Sequence, residues 1–213
     1  MKNIKIWMMV LTILVAWFIR LAGAETNAVP PPLVNDNFDE WSWKPILESM
    51  KQSGRKVLEA GGQLPYEYKG PLFRQAKGFY NPAGRMVEGP EAYKGRSMLL
   101  DASRGRWEVG YHDHYGNLFE PGRTYQYEVA LKGKGVFHFQ GSVGGIYPAT
   151  AQFKWLEFPD LIAVPVTNAW KVYTGSFTIK KYDDTPFKVG KIMASIVVNS
   201  NDVIYVDDFR INR

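Results

Sequence analysis

Beyond residue 90 the chain is a succession of short aromatic or β-branched runs with no helical patterns alternating between them, and that punctuation constrains the fold more than any other feature. Residues 97–100, 107–111, 124–131, 136–139, 170–179 and 192–198 are such runs. Glu120-Pro121-Gly122, Lys132-Gly133-Lys134-Gly135 and Asn199-Ser200-Asn201-Asp202 separate them as turns. Short strands joined by polar, glycine-rich turns point to an all-β chain folded as an antiparallel β-sandwich. In the run from Thr124 to Leu131 the period of two is plain: Tyr125, Tyr127, Val129 and Leu131 share one face. Gln126 and Glu128 then face solvent or line a groove. Residues 46–60 are the one helical candidate, with Ile46, Leu47 and Met50 on one side, Pro45 at a first-turn position and Gly54 weakening the pattern. They predict a short helical or irregular insertion after the first strand.

The N-terminal segment reads differently. Residues 1–24 combine a basic start (Lys2, Lys5), an apolar run from Ile6 to Ile19 and small residues in Ala22-Gly23-Ala24, the pattern of a cleaved secretory signal peptide. The apolar run falls short of the roughly 20 residues a spanning helix needs, so no further membrane association is expected. Export to the extracellular space or periplasm follows. Val29-Pro30-Pro31-Pro32 lies in a stiff, extended linker over residues 25–33, and residues 34–213 show no second linker and no repeat, which predicts one monomeric domain. Without Lys2, Lys5 and Arg20 the chain has 23 Lys plus Arg against 21 Asp plus Glu, too even a balance for a nucleic-acid partner. The absence of cysteine excludes thiol catalysis and cysteine metal clusters.

The C-terminal run Val203-Ile204-Tyr205-Val206-Asp207-Asp208-Phe209-Arg210-Ile211 is a strand pattern interrupted by two adjacent carboxylates. Together with Asn35-Asp36-Asn37-Phe38-Asp39 and Trp41, it resembles the terminal strands of the bacterial jelly-roll carbohydrate-binding modules of families 4, 9, 16 and 22, which are galactose-binding-domain-like; Asp39 stands where glutamate is more usual. Between these ends, Gly95-Arg96-Ser97-Met98-Leu99-Leu100 is similar to the group's glycine-serine-leucine strand, and Phe119-Glu120-Pro121-Gly122-Arg123-Thr124-Tyr125 to its proline-glycine turn. The run from Trp170 to Phe177 is similar to its tryptophan strand. The stretch from Lys44 to Tyr80 departs from the group. The resemblance implies a jelly-roll fold, non-catalytic binding of a polysaccharide or glycan, and a structural calcium held by Asp39, Asp207 and Asp208 where the first and last strands meet. Alternation puts Asp207 on the face of Tyr205, Phe209 and Ile211, where a bare carboxylate is costly, and oxygen ligands are what calcium takes.

Sugars stack a C–H face on aromatic rings while polar neighbours bind their hydroxyls. By local polarity the ring candidates are Trp107 beside Arg104, Arg106 and Glu108, and Trp155 beside Lys154 and Glu157. Tyr111 and Tyr115, around the histidines, and Tyr147, in a glycine-rich segment, follow. Trp170, at the start of an apolar strand, reads as core. Two alternatives stand beside glycan binding: a structural or adhesive surface domain, and a small jelly-roll polysaccharide lyase or glycosidase. Carboxylates such as Glu108, Asp113, Glu128 and Glu157 lie in no identifying motif, and Gly141-Ser142-Val143-Gly144 does not complete a nucleophile elbow. His112-Asp113-His114 has metal-like alternation but the wrong spacing to Glu120 for a cupin site.

Overall fold

Alternating apolar residues need a second apolar face to cover them, and two sheets of this chain supply it to each other. The computed structural model describes residues 30–39, 66–69, 72–78, 84–113, 117–183 and 185–213. Met1–Pro31 and Pro32–Arg213 are separate units, and every described strand belongs to the second. The leader, the helical candidate at residues 46–60, Trp41 and Tyr115 lie outside the described residues.

The first sheet runs β11 (Lys171–Thr178), β7 (Thr124–Lys134), β13 (Val203–Asn212), β5 (Arg96–Asp101) and β4 (Arg85–Glu88), with β1 (Val34–Asp36) also paired to β13. The second runs β10 (Asp160–Pro165), β8 (Val136–Tyr147), β12 (Lys188–Val198), β6 (Trp107–Asp113), β3 (Leu72–Gly78) and β2 (Tyr66–Lys69), with β9 (Gln152–Glu157) also on β8. The pairings among these strands are antiparallel. From β5 to β8 each strand lands in the sheet opposite its predecessor, and β11, β12 and β13 resume that alternation after the β9 and β10 excursion. This is the jelly-roll sandwich. As the resemblance implied, the first and last strands are neighbours, with Val34 opposite Ile211 and Asp36 opposite Phe209.

Aromatic residues fill the space between the sheets. On β7, Tyr125, Val129 and Leu131 are buried and Tyr127 packs at the core margin, as their shared face requires. Phe139 of β8 has ring centroids 5.1 Å from Phe209, 6.0 Å from Tyr111, 6.2 Å from Phe119 and 6.2 Å from Phe177, most of them edge to face. Such tilted contacts set the negative ring face against a positive edge. Trp170 is not among the core residues: it stands half-buried against Tyr93 and Tyr205, with its indole N–H donating to the Glu91 carbonyl at 3.3 Å. One apolar flank and one hydrogen bond are enough to hold it outside the sandwich.

The paired carboxylates of β13 mark a bulge, where the register against β7 shifts between Asp207 and Arg210 and Asp208 takes φ of 42°. Asp207 Oδ1 accepts the Asp208 N–H at 2.7 Å, while Oδ2 accepts the Ser97 hydroxyl at 2.8 Å and the Lys94 N–H at 3.1 Å. Burial nevertheless raises the Asp207 carboxyl above its ordinary value, more than these donors lower it. Replacing Phe139 with alanine should destabilise the domain by about 3–5 kcal/mol in chemical denaturation, the usual cost of a large aromatic cavity; a loss under about 1 kcal/mol would mean the sheets do not depend on this ring.

Candidate functional site

Because β6, β8 and β12 turn Trp107, Val109, Phe137, Phe139, Ala194 and Ile196 inward, their alternate residues face away from the core. Glu108 of β6, Gln140 and Ser142 of β8 and Ser195 of β12 belong to that outward set, and they line a groove of about 350 Å3 with Arg106 and Phe158. Strand register brings them together: Ser195 lies opposite Gln140, and Asp160 of β10 opposite Gln140 on its other side. The Ser195 hydroxyl donates to Glu108 Oε1 at 2.8 Å. The remaining contacts are longer, with Arg106 Nη2 donating to Gln140 Oε1 at 3.5 Å and Gln140 Nε2 to Asp160 Oδ1 at 3.5 Å. Bonds of that length are weak, so the guanidinium and the amide can turn to a ligand at little cost. His138 Nδ1 lies 3.2 Å from Asp160 Oδ2 and closes the polar row.

An aromatic strip adjoins the groove. Phe158, 54% exposed, forms part of its wall; Trp155, 44% exposed, stands 6.3 Å from Phe158, and Phe153, 46% exposed, 5.3 Å from Trp155. The rings of Phe153 and Trp155 lie over Gly144, where a Cβ would come within 2.3 Å of the Phe153 ring. Glycine is what seats them. Exposed apolar side chains gathered beside polar groups mark an interaction surface.

The ring candidates divide. Trp155 sits in the strip. Trp107 and Tyr111 do not: both are fully buried, the Trp107 indole N–H donating to the Asp101 carbonyl at 2.9 Å and the Tyr111 hydroxyl to Asp36 Oδ2 at 3.2 Å. Glu108, the charged residue between them, occupies the opposite face of the same strand. Tyr147 is half-buried against Phe187 and pairs with Gln152, on the face of β9 away from Trp155. Arg106, Gln140, Ser142, Ser195, Phe153 and Phe158 carry no motif that singles them out in the sequence; the Phe-x-Trp alternation of Phe153 and Trp155, following Gly144-Gly145, is the available signal.

The carboxylates expected to hold calcium are brought near one turn, where each accepts from donors of the chain. Asp39 Oδ1 accepts the Arg96 N–H at 2.8 Å, Asp207 takes the three donors given above, and Asp208 is paired with the Lys94 ammonium at 2.7 Å. Among the described residues no three His, Asp or Glu side chains are grouped to hold a metal. Asp39, Asp207 and Asp208 are held in this arrangement by the chain's own donors, with the Lys94 ammonium as the counter-charge of Asp208. Glycine at 95 completes the clasp, with φ of 50° and no room for a Cβ against Asp39. The melting temperature should be the same in calcium and in chelator. A calcium-dependent rise, which would approach about 2.7 kcal/mol of stabilisation at a hundredfold excess over Kd, would show that the metal binds.

No family profile and no curated protein matches the sequence. Solved structures similar in fold include the CBM22-1 and GH10 modules of a Clostridium thermocellum endo-1,4-β-D-xylanase complexed with xylohexaose, 18% identical, with a TM-score of 0.41 over 86% of this chain and 29% of that one. The CBM22-1 xylan-binding domain from Paenibacillus barcinonensis is 12% identical, with a TM-score of 0.38 over 64% of this chain and 84% of that domain. A family 61 module in complex with β-1,4-galactotriose is 19% identical, with a TM-score of 0.36 over 66% of this chain and 88% of that one.

Proposed function

We propose that this chain is an exported, non-catalytic glycan-binding protein that holds a polysaccharide on the outward face of its second sheet. The observation that carries the reading is the union of a polar groove with an exposed aromatic strip: Arg106, Glu108, Gln140, Ser142 and Ser195 offer donors and acceptors to hydroxyls, and Phe158 and Trp155 offer rings to C–H faces. The groove carries both a cation and a carboxylate, which suits a neutral chain better than a strongly charged one. Export rests on the leader pattern of residues 1–24.

A glycan array that includes β-1,4-linked xylose and galactose chains, followed by calorimetry, tests the proposal. Gln140→Ala should weaken binding about tenfold, the value of a good hydrogen bond to a ligand hydroxyl. Trp155→Ala should weaken it by about twofold to tenfold, the range of one ring contact. Absence of binding to any glycan would favour a structural or adhesive role, and shortening of a polysaccharide by the purified protein would replace binding with catalysis.

A further inference from the structure

The connection between β9 and β10 separates the groove from a second cavity. Phe158 faces the groove, while Glu157 and Pro159 line a space of about 370 Å3 where β8 and β10 of the second sheet approach β11 of the first. Its floor is apolar, formed by Val143, Phe177, Ile179 and Ile192, all buried. Its rim is polar. Glu157 accepts a hydrogen bond from the Tyr182 hydroxyl and lies 3.6 Å from the Lys180 ammonium, which sits 5.5 Å above the Tyr182 ring. Burial, and then the bond to Glu157, raise the Tyr182 hydroxyl well above the ordinary tyrosine value, so it remains a donor at neutral pH. The carboxylate is thus held in place by two protein groups while its side chain remains 34% exposed, with lone pairs left to accept from a ligand.

The lining selects the ligand. Glu157 and Asp160 outnumber Lys180, which disfavours an anion, and the apolar floor disfavours a bare cation. The volume is at the small end of the range for ligand sites, about 300–1,000 Å3, and admits a single ring. A sugar residue combines one C–H face for the floor with adjacent hydroxyls for the rim. We propose that this cavity is a second binding site, for one neutral sugar residue presented as a chain end or side branch, with Glu157 accepting from its hydroxyls and Lys180 donating to them. The site rests on its own lining and not on the groove.

Saturation-transfer NMR with methyl β-xyloside, methyl β-galactoside and methyl β-glucoside tests it on the full chain. At least one should receive saturation; Glu157→Gln should weaken that binding about tenfold, as loss of a charge-assisted hydrogen bond does, and Leu161→Trp, which fills the cavity, should abolish it. Arg106→Ala, in the groove and without contact to the cavity lining, should leave it unchanged. If Leu161→Trp does not fold, as judged by thermal melting, Lys180→Met takes its place with a partial loss expected. No saturation of any methyl pyranoside overturns the proposal, as does binding that survives both cavity variants or is lost in Arg106→Ala. A longer oligosaccharide bearing the preferred sugar at its end, compared with one bearing it as a branch, then separates the two presentations.

Discussion

The contact between Phe139 and Phe209, 5.1 Å between ring centroids and reaching from one sheet to the other, fixes the rest of the architecture. A strand side chain that points inward commits its neighbours to point outward. With Phe137, Phe139 and Val143 turned to the core, His138, Gln140 and Ser142 have only the outer face, and register then brings Ser195 and Asp160 beside Gln140. The groove is therefore a consequence of how the core is filled. A slip of one residue in β8 would exchange phenylalanine for glutamine across the sheet and destroy both at once.

The terminal strands contribute a second constraint. β1 and β13 pair, and carboxylates from both ends clasp the turn at residues 94–97, Asp39 through the Arg96 N–H and Asp207 through Ser97 and Lys94. A buried carboxylate is tolerated there because three donors are aimed at it, and the Lys94 ammonium balances its neighbour Asp208.

Much of the sandwich was legible because strands after residue 90 alternate cleanly and their turns carry glycine and proline. The extra strands β9 and β10 were not, since residues 152–165 carry exposed rings and, Ile162 apart, bury little. The misplacement of Trp107 and Tyr111 has a related cause. Charged neighbours in sequence say nothing about a strand residue's own face; Trp107, Val109 and Tyr111 form one inward row, and Glu108 is the outward residue. Trp155 has charged neighbours too, but it lies on a strand at the sheet margin and its ring stays exposed. Gln140 and Ser195 could be found only from register between distant strands.

The most direct test of the account is where a bound glycan touches the protein. Amide chemical-shift perturbation with a glycan identified on the array should map to β6, β8 and β12 around Glu108, Gln140, Ser142 and Ser195, and to the strip from Phe153 to Phe158. Perturbations confined to the outer face of the first sheet, around Tyr93, Trp170 and Tyr205, would contradict it.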